Sequence, residues 1–149
     1  MALLAALTLT TPAVAASLRV SVATPGGAPV RDAVVMVYPK GGASGGPIRF
    51  PWAYVMTQKD MQFAPFVLVV PVGAGVAFPN RDPFRHHVYS FSGAKNFQLK
   101  LYGYDETRVV KFDKAGVVAL GCNIHDNMAA SSGWWTRPIP ERLVRGARC

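Results

Sequence analysis

The chain has 149 residues, with 16 Lys and Arg against 8 Asp and Glu, a formal net charge of +8. That length fits one domain with a substantial core, because a chain of this size buries roughly two-thirds of its unfolded surface. The basic residues are scattered, with no recognition helix and no aromatic-basic motif, which argues against nucleic acid as the partner.

Residues Met1 to Ala16 read as a secretory signal: Ala2 to Leu9 is largely apolar and Ala13-Val14-Ala15 is an Ala-x-Ala cleavage site. No Lys or Arg precedes Arg19, so the positive leading region is missing and the start reads as truncated or misassigned. The stretch is too short to span a membrane. It implies export to the periplasm.

From there the chain reads as short β-runs separated by turns. Leu18 to Val22 alternates and predicts a first strand, Thr24 to Pro29 a Gly/Pro turn, and Ala33 to Tyr38 a second strand. Pro39 to Met61 is a long Gly-rich connection, of the kind that is usually functional or mobile. Trp52 and Tyr54 within it are candidates to cover one end of the fold or to form a satellite cluster. Further strands are expected over Phe66 to Val70, Gly75 to Phe78, Val88 to Phe91, Phe97 to Leu101, Arg108 to Phe112 and Val117 to Gly121. Past the leader no helical periodicity is sustained, so the expectation is an all-β sandwich or barrel over 17–128.

The chemistry concentrates in Cys122-Asn123-Ile124-His125-Asp126-Asn127-Met128, where a thiol, an imidazole and a thioether recur at three-residue steps. Two His and one Cys in a near-trigonal plane, with a long axial Met, are the donors of a blue-copper electron-transfer site. The loop offers three of these, and the missing imidazole must come from His86 or His87, the remaining His of the chain. The same residue types also serve as a structural Cys, a core Met and a structural His. Position favours ligation: the loop leaves the end of one predicted strand, and the His pair follows a turn, Arg81 to Arg85, after another.

The pattern Phe78-Pro79-Asn80-x-Asp82-x-x-x-His86-x-Val88-x-Ser90, then Phe112-Asp113-x-x-Gly116-Val117-Val118, then the Cys122 loop, resembles the cupredoxin superfamily of plastocyanin and amicyanin type. It is most similar to the periplasmic bacterial group labelled methylamine utilization proteins. The resemblance covers roughly Ser17 to Met128 and implies a Greek-key β-sandwich. It also implies one mononuclear type 1 copper, held by His86, Cys122, His125 and Met128, that carries single electrons. On the family register His86 is the ligand and His87 replaces an Asn that ties the metal loops together in relatives. Strand parity points the other way: His87, Tyr89 and Phe91 share the more apolar face. A bulge would reconcile the two, and His87 stands as the fallback. The resemblance places the ring edge of His125 at the surface as the electron port, with Phe84 and Ile124 flanking it as an apolar patch.

Other readings of these residues remain. Zinc takes Cys and His but has no use for a thioether. A Cys-His nucleophile wants an oxyanion hole and an orienting third group; Asp126 lies beside His125, and no further signature supports hydrolysis. A copper delivery or structural module without redox turnover is the alternative to a carrier. The chain is expected to be a monomeric electron carrier, not an enzyme, with a redox donor and acceptor that present an acidic docking surface to its basic one. Cys149 is read as unpaired, since a disulfide to Cys122 would abolish the site.

Residues 129–149 depart from the family. They lack β alternation where the fold needs a final strand, so that strand is expected to be missing or degraded. Gly133-Trp134-Trp135-Thr136 must be encoded GGN-TGG-TGG-ACN, and reading from the third base gives a Val-Val-Asp-like strand of the kind the family carries there. A frameshift shortly after Met128 is the resulting expectation. The stretch from Arg137 holds four Arg and one Glu, so without its +3 the chain would still be about +5. Resequencing the gene across codons 125–140 is expected to show a neighbouring frame that restores Val-Val-Asp. An intact frame with no such neighbour would refute the frameshift.

Overall fold

The computed structural model describes residues 17–37, 49–124 and 128–135, the last six by backbone alone. The chain divides into two compact units, 1–30 and 31–149. In the first, the expected turn forms: Thr24 N–H donates to Ala28 O (2.8 Å), Gly27 N–H to Thr24 O (2.9 Å), and Gly27 sits at φ 83°. The strand expected over Leu18 to Val22 does not form, and among the described residues of this unit the β-pairing is the bridge from Ala23 to Pro29.

Among its described residues the second unit carries nine strands: β1 (Thr57–Lys59), β2 (Gln62–Ala64), β3 (Val67–Pro71), β4 (Gly75–Pro79), β5 (Val88–Ser92), β6 (Lys95–Gln98), β7 (Thr107–Lys111), β8 (Gly116–Cys122) and β9 (Ala129–Trp135). Residues 33–37 form no strand, and Tyr38 and residues 39–48 lie outside the described part. The long connection therefore ends sooner than its composition suggests, since β1 already begins at Thr57. Its aromatic residues pack on the core. Trp52 stacks on Phe50 with centroids 4.6 Å apart and donates its Nε1–H to Val69 O at 2.8 Å, while Tyr54 O accepts from Ala77 N.

Two sheets face one another. One has the order β3-β9-β8-β5-β6; the other pairs β4 with β7 and is extended by parallel bridges from Val55 to Ala77 and from Gln58 to Asn80. After β6 the chain crosses to β7 and returns in β8 beside β5, the over-and-back path of a Greek key. Period-two alternation assigns the faces. On β8, Val118, Leu120 and Cys122 point inward, and they meet Val76, Phe78, Val110 and Phe112 from the opposite side. The architecture is the all-β sandwich expected from the sequence.

The final strand is a correction. β9 is formed, parallel to β3 (Val67↔Ser131 through Pro71↔Trp135) and antiparallel to β8 (Gly116↔Trp134 through Gly121↔Ala129). Its residues, Ala-Ala-Ser-Ser-Gly-Trp-Trp, have poor alternation. A slot between two strands nonetheless supplies main-chain partners on both edges, and that setting overrides local propensity. A chain ended after Met128 should lose cooperative urea unfolding, because β3 and β8 would face each other across an empty slot.

Candidate metal centre

The centre sits where β5 and β8 meet, at the end of the sandwich from which the Cys122 loop and the Arg81–Arg85 turn emerge. Val88 pairs with Cys122 and Tyr89 with Gly121. Beyond that ladder, Asn123 N–H donates to His87 O at 3.1 Å, and Cys122 N–H donates to Met128 O at 3.2 Å, closing the neck of the 122–128 loop. His86 and Tyr102 exchange backbone hydrogen bonds of 3.1 and 3.2 Å. Both segments are thus fixed by main chain before any side chain is considered.

His86 is fully buried, and its Nδ1 lies 3.4 Å from Cys122 Sγ. Cys122 is a buried thiol, 4% exposed, and Met128, 2% exposed, belongs to the same core cluster. His125, Asp126 and Asn127 lie outside the described residues. His87 points the opposite way, and no bulge is needed: Val88 and Ser90 follow His86 inward, while His87, Tyr89 and Phe91 form a row on the outer face. The apolar look of that row misleads, because the rings pack on one another at a tilt outside the sandwich, with centroids 6.2 and 5.1 Å apart. Among the described residues, His87 Nδ1 is buried there without a hydrogen-bond partner. Tyr89 explains Gly121, since a Cβ at that position would come within 2.7 Å of the phenol ring. Phe84 packs edge-on against His86 at 5.3 Å and is 38% exposed; Ile124 is 48% exposed.

The far side of the His86 ring is equally constrained. Its Nε2 lies 2.7 Å from Asp82 Oδ2, and the two side chains are almost entirely buried. Asp82 Oδ1 accepts from Asp60 N–H at 2.6 Å and Oδ2 from Met61 N–H at 3.1 Å. Burial raises the carboxyl pKa, but the hydrogen bonds from His86, Met61 and Asp60 outweigh it and hold the group below its usual range. An ionised carboxylate only accepts, so Nε2 donates to Asp82 and Nδ1 is the ring nitrogen that faces the sulfur.

Asn80 builds the turn: its Oδ1 accepts from Asp82 N–H (2.8 Å), and its Nδ2 donates to Phe84 O (2.8 Å) and Tyr102 O (3.2 Å). An Asn that bonds the backbone two residues on is a known turn device. Tyr102 O–H donates to the buried Gln58 Oε1, and Arg108 sits 5.2 Å above the Tyr102 ring. Burial pushes the phenol pKa up, so Tyr102 remains a neutral donor.

These residues suit a metal. Two donors that share one ion at about 2.0 Å (His N) and 2.3 Å (Cys S), with roughly tetrahedral to trigonal angles, sit about 3.5 to 3.7 Å apart, so a pair just under that range needs little movement to close on an ion. His86 Nδ1 and Cys122 Sγ are separated by 3.4 Å. Among the described residues no group of three His, Cys, Asp or Glu forms a ligand set; the expected remainder is Met128, a thioether, and His125. Sequence reasoning assigned no role to Asp82, Asn80, Gln58 or Tyr102. The signal for Asp82 was its place four residues before His86.

No family profile matches the sequence, and no curated protein does. Solved structures do. The copper-containing nitrite reductase (NirK) of Thermus scotoductus SA-01 matches at 27% identity and TM-score 0.53, over 62% of this chain and 24% of that one. The chain thus spans about a quarter of the reductase. A reduced Cu(I) form of an amicyanin Pro-to-Gly variant matches at 21% identity and TM-score 0.52, over 60% of this chain and 92% of that one. A Cu(I) amicyanin Met-to-Ala variant matches at 23% identity and TM-score 0.51, over 56% and 82%. The fold is a cupredoxin-type β-sandwich, and its structural neighbours include copper proteins.

Tyr102→Phe leaves the buried Gln58 carbonyl without its donor. It should cost about 1–3 kcal/mol in urea unfolding and leave the His86–Cys122 contact intact.

Proposed function

We propose that this chain is a type 1 copper protein that carries single electrons between redox partners. His86 Nδ1, Cys122 Sγ, His125 and Met128 are the donors, and His87 lies on the outer face of the sheet. The single observation that supports this most is the 3.4 Å approach of a buried imidazole nitrogen to a buried thiol. The two lie 36 residues apart in sequence and are aimed at each other from separate elements. Bound copper would supply a one-electron couple, for which thiolate and thioether favour Cu(I) and imidazole serves both states.

The chain's own residues keep reorganisation small. The β8 ladder and the Met128 carbonyl hold the Cys122 main chain; the Tyr102 bridge and Asp82 hold His86. Phe84 screens His86 from water on one side, and with Ile124 it offers exposed apolar surface beside the loop for a partner to cover. A carrier with net charge +8 suits an acidic partner, and the leader-like residues 1–16 suit a periplasmic location. The resemblance to methylamine utilization proteins enters through shared site residues and names no substrate here.

One feature favours a second reading. Asp82, His86 and Cys122 stand in series at 2.7 and 3.4 Å, the order of an orienting acid, a base and a nucleophile. Burial decides against it. With His86 at 0% and Cys122 at 4% exposure, the sulfur lies too deep for attack on a bound substrate. Metal-free chain should therefore react slowly with iodoacetamide, whereas an activated catalytic thiolate would be alkylated within minutes at neutral pH.

Adding Cu(II) to the purified chain should give an intense blue thiolate-to-copper band and narrow EPR hyperfine splitting. Cys122→Ser should abolish the band, and Met128→Ala should shift the reduction potential with copper retained. A weak band with a tetragonal EPR signal would overturn the assignment.

A further inference from the structure

The β1–β2 hairpin turns on two residues, Asp60 and Met61, with φ of 55° and 57°. Two-residue hairpins of this hand need positive φ at both central positions and are dominated by Asn-Gly and Asp-Gly. Met61 has a Cβ and a long side chain in that conformation, and at 53% exposure its packing gives little in return. Backbone held in a sparsely populated region persists where the surroundings over-determine it, and it marks places where position matters.

What holds this turn is Asp82. The two turn N–H groups each take one carboxylate oxygen, at 2.6 and 3.1 Å, and Oδ2 is shared with His86 Nε2 at 2.7 Å. The hairpin is also tied to the same segment by main chain, with Arg81 N–H donating to Gln58 O at 2.8 Å. A surface turn, a carboxylate that is 3% exposed, an imidazole and the Cys122 sulfur therefore form one continuous chain of contacts. With a donor on each oxygen the carboxylate plane cannot rotate. The ring that depends on it then keeps one orientation and one tautomer.

We propose that the Asp60–Met61 turn is a positioning element for the metal centre: its two N–H groups fix Asp82, and Asp82 fixes His86 with Nδ1 toward Cys122. The inference rests on the proposed function only for the identity of the metal; the ring geometry is a property of the chain itself. The strained turn bonds to Asp82 and so governs His86 through a single buried side chain. Outer partners of a metal-bound His commonly change metal affinity by about 10- to 100-fold when lost.

The test is nitrogen-15 NMR of the His86 ring in the full, metal-free chain, followed by titration with Cu(I). The native chain should show a slowly exchanging Nε2–H and an unprotonated Nδ1. Met61→Pro removes one donor and cannot adopt positive φ. It should give mixed tautomers and about 10- to 100-fold weaker Cu(I) binding. Met61→Gly, the conservative variant that keeps the N–H and the φ, should restore native behaviour, and Asp82→Asn should convert His86 towards Nδ1–H. Should Met61→Pro not fold, Cu(I) added to the native chain should shift the Asp60 and Met61 amide protons and leave in place those of Gly73 and Ala74, in the turn at the far end of β4. Retention of the Nε2–H tautomer and full Cu(I) affinity in Met61→Pro, or unmoved turn amides in the native chain, would overturn the proposal. If tautomer follows the turn in a chain that binds no copper, the positioning role stands and the copper assignment falls.

Discussion

A buried imidazole is costly unless both ring nitrogens are satisfied, and the account of this chain depends on how His86 meets that requirement. One nitrogen faces a carboxylate and the other a thiol, at 2.7 and 3.4 Å. The carboxylate determines which nitrogen bears the proton, and so which one is offered to the sulfur. Without Asp82 the ring would have two orientations to choose between, and the approach of Nδ1 to Cys122 would lose its direction. The polar groups behind it, Asn80 and Gln58, are fully buried and hydrogen-bonded, which makes the arrangement rigid rather than merely crowded.

The sandwich supplies the rest of the constraint. Cys122 faces inward because it shares the parity of Val118 and Leu120 on β8, and β8 holds its register because β5 lies along one edge and β9 along the other. The Cys122 sulfur is therefore aimed by a seven-residue strand. Its direction is set by the ladders on either edge of that strand.

Much of this was legible from spacing and alternation. The strands around Val67, Gly75, Val88, Thr107 and Gly116 lie within a few residues of where their patterns put them. The heptapeptide from Cys122 and the upstream His pair pointed to the same end of the fold. What was not legible has physical causes. Leu18 to Val22 alternates like a strand, but alternation describes a face and cannot supply a partner. β9 reads as a poor strand because its stability comes from partners on both edges, β8 just before it and the sequence-distant β3, as in Val67↔Ser131. The outward row of His87, Tyr89 and Phe91 looked like a core face because aromatic residues that pack on one another outside a sheet carry the same letters as those inside it. Asp82 was hidden for a different reason: a carboxylate in a turn is ordinary, and its role follows only once the β1–β2 turn is folded against it.

The central claim is that His86 and Cys122 close on one copper ion. The most direct measurement is a crystal structure of the copper-loaded chain with data collected at the copper absorption edge. The account predicts one anomalous peak between His86 Nδ1 and Cys122 Sγ, within bonding distance of both, with the Asp82–His86 contact retained. A peak on His87, on the surface, or with His86 turned to present Nε2 would contradict it.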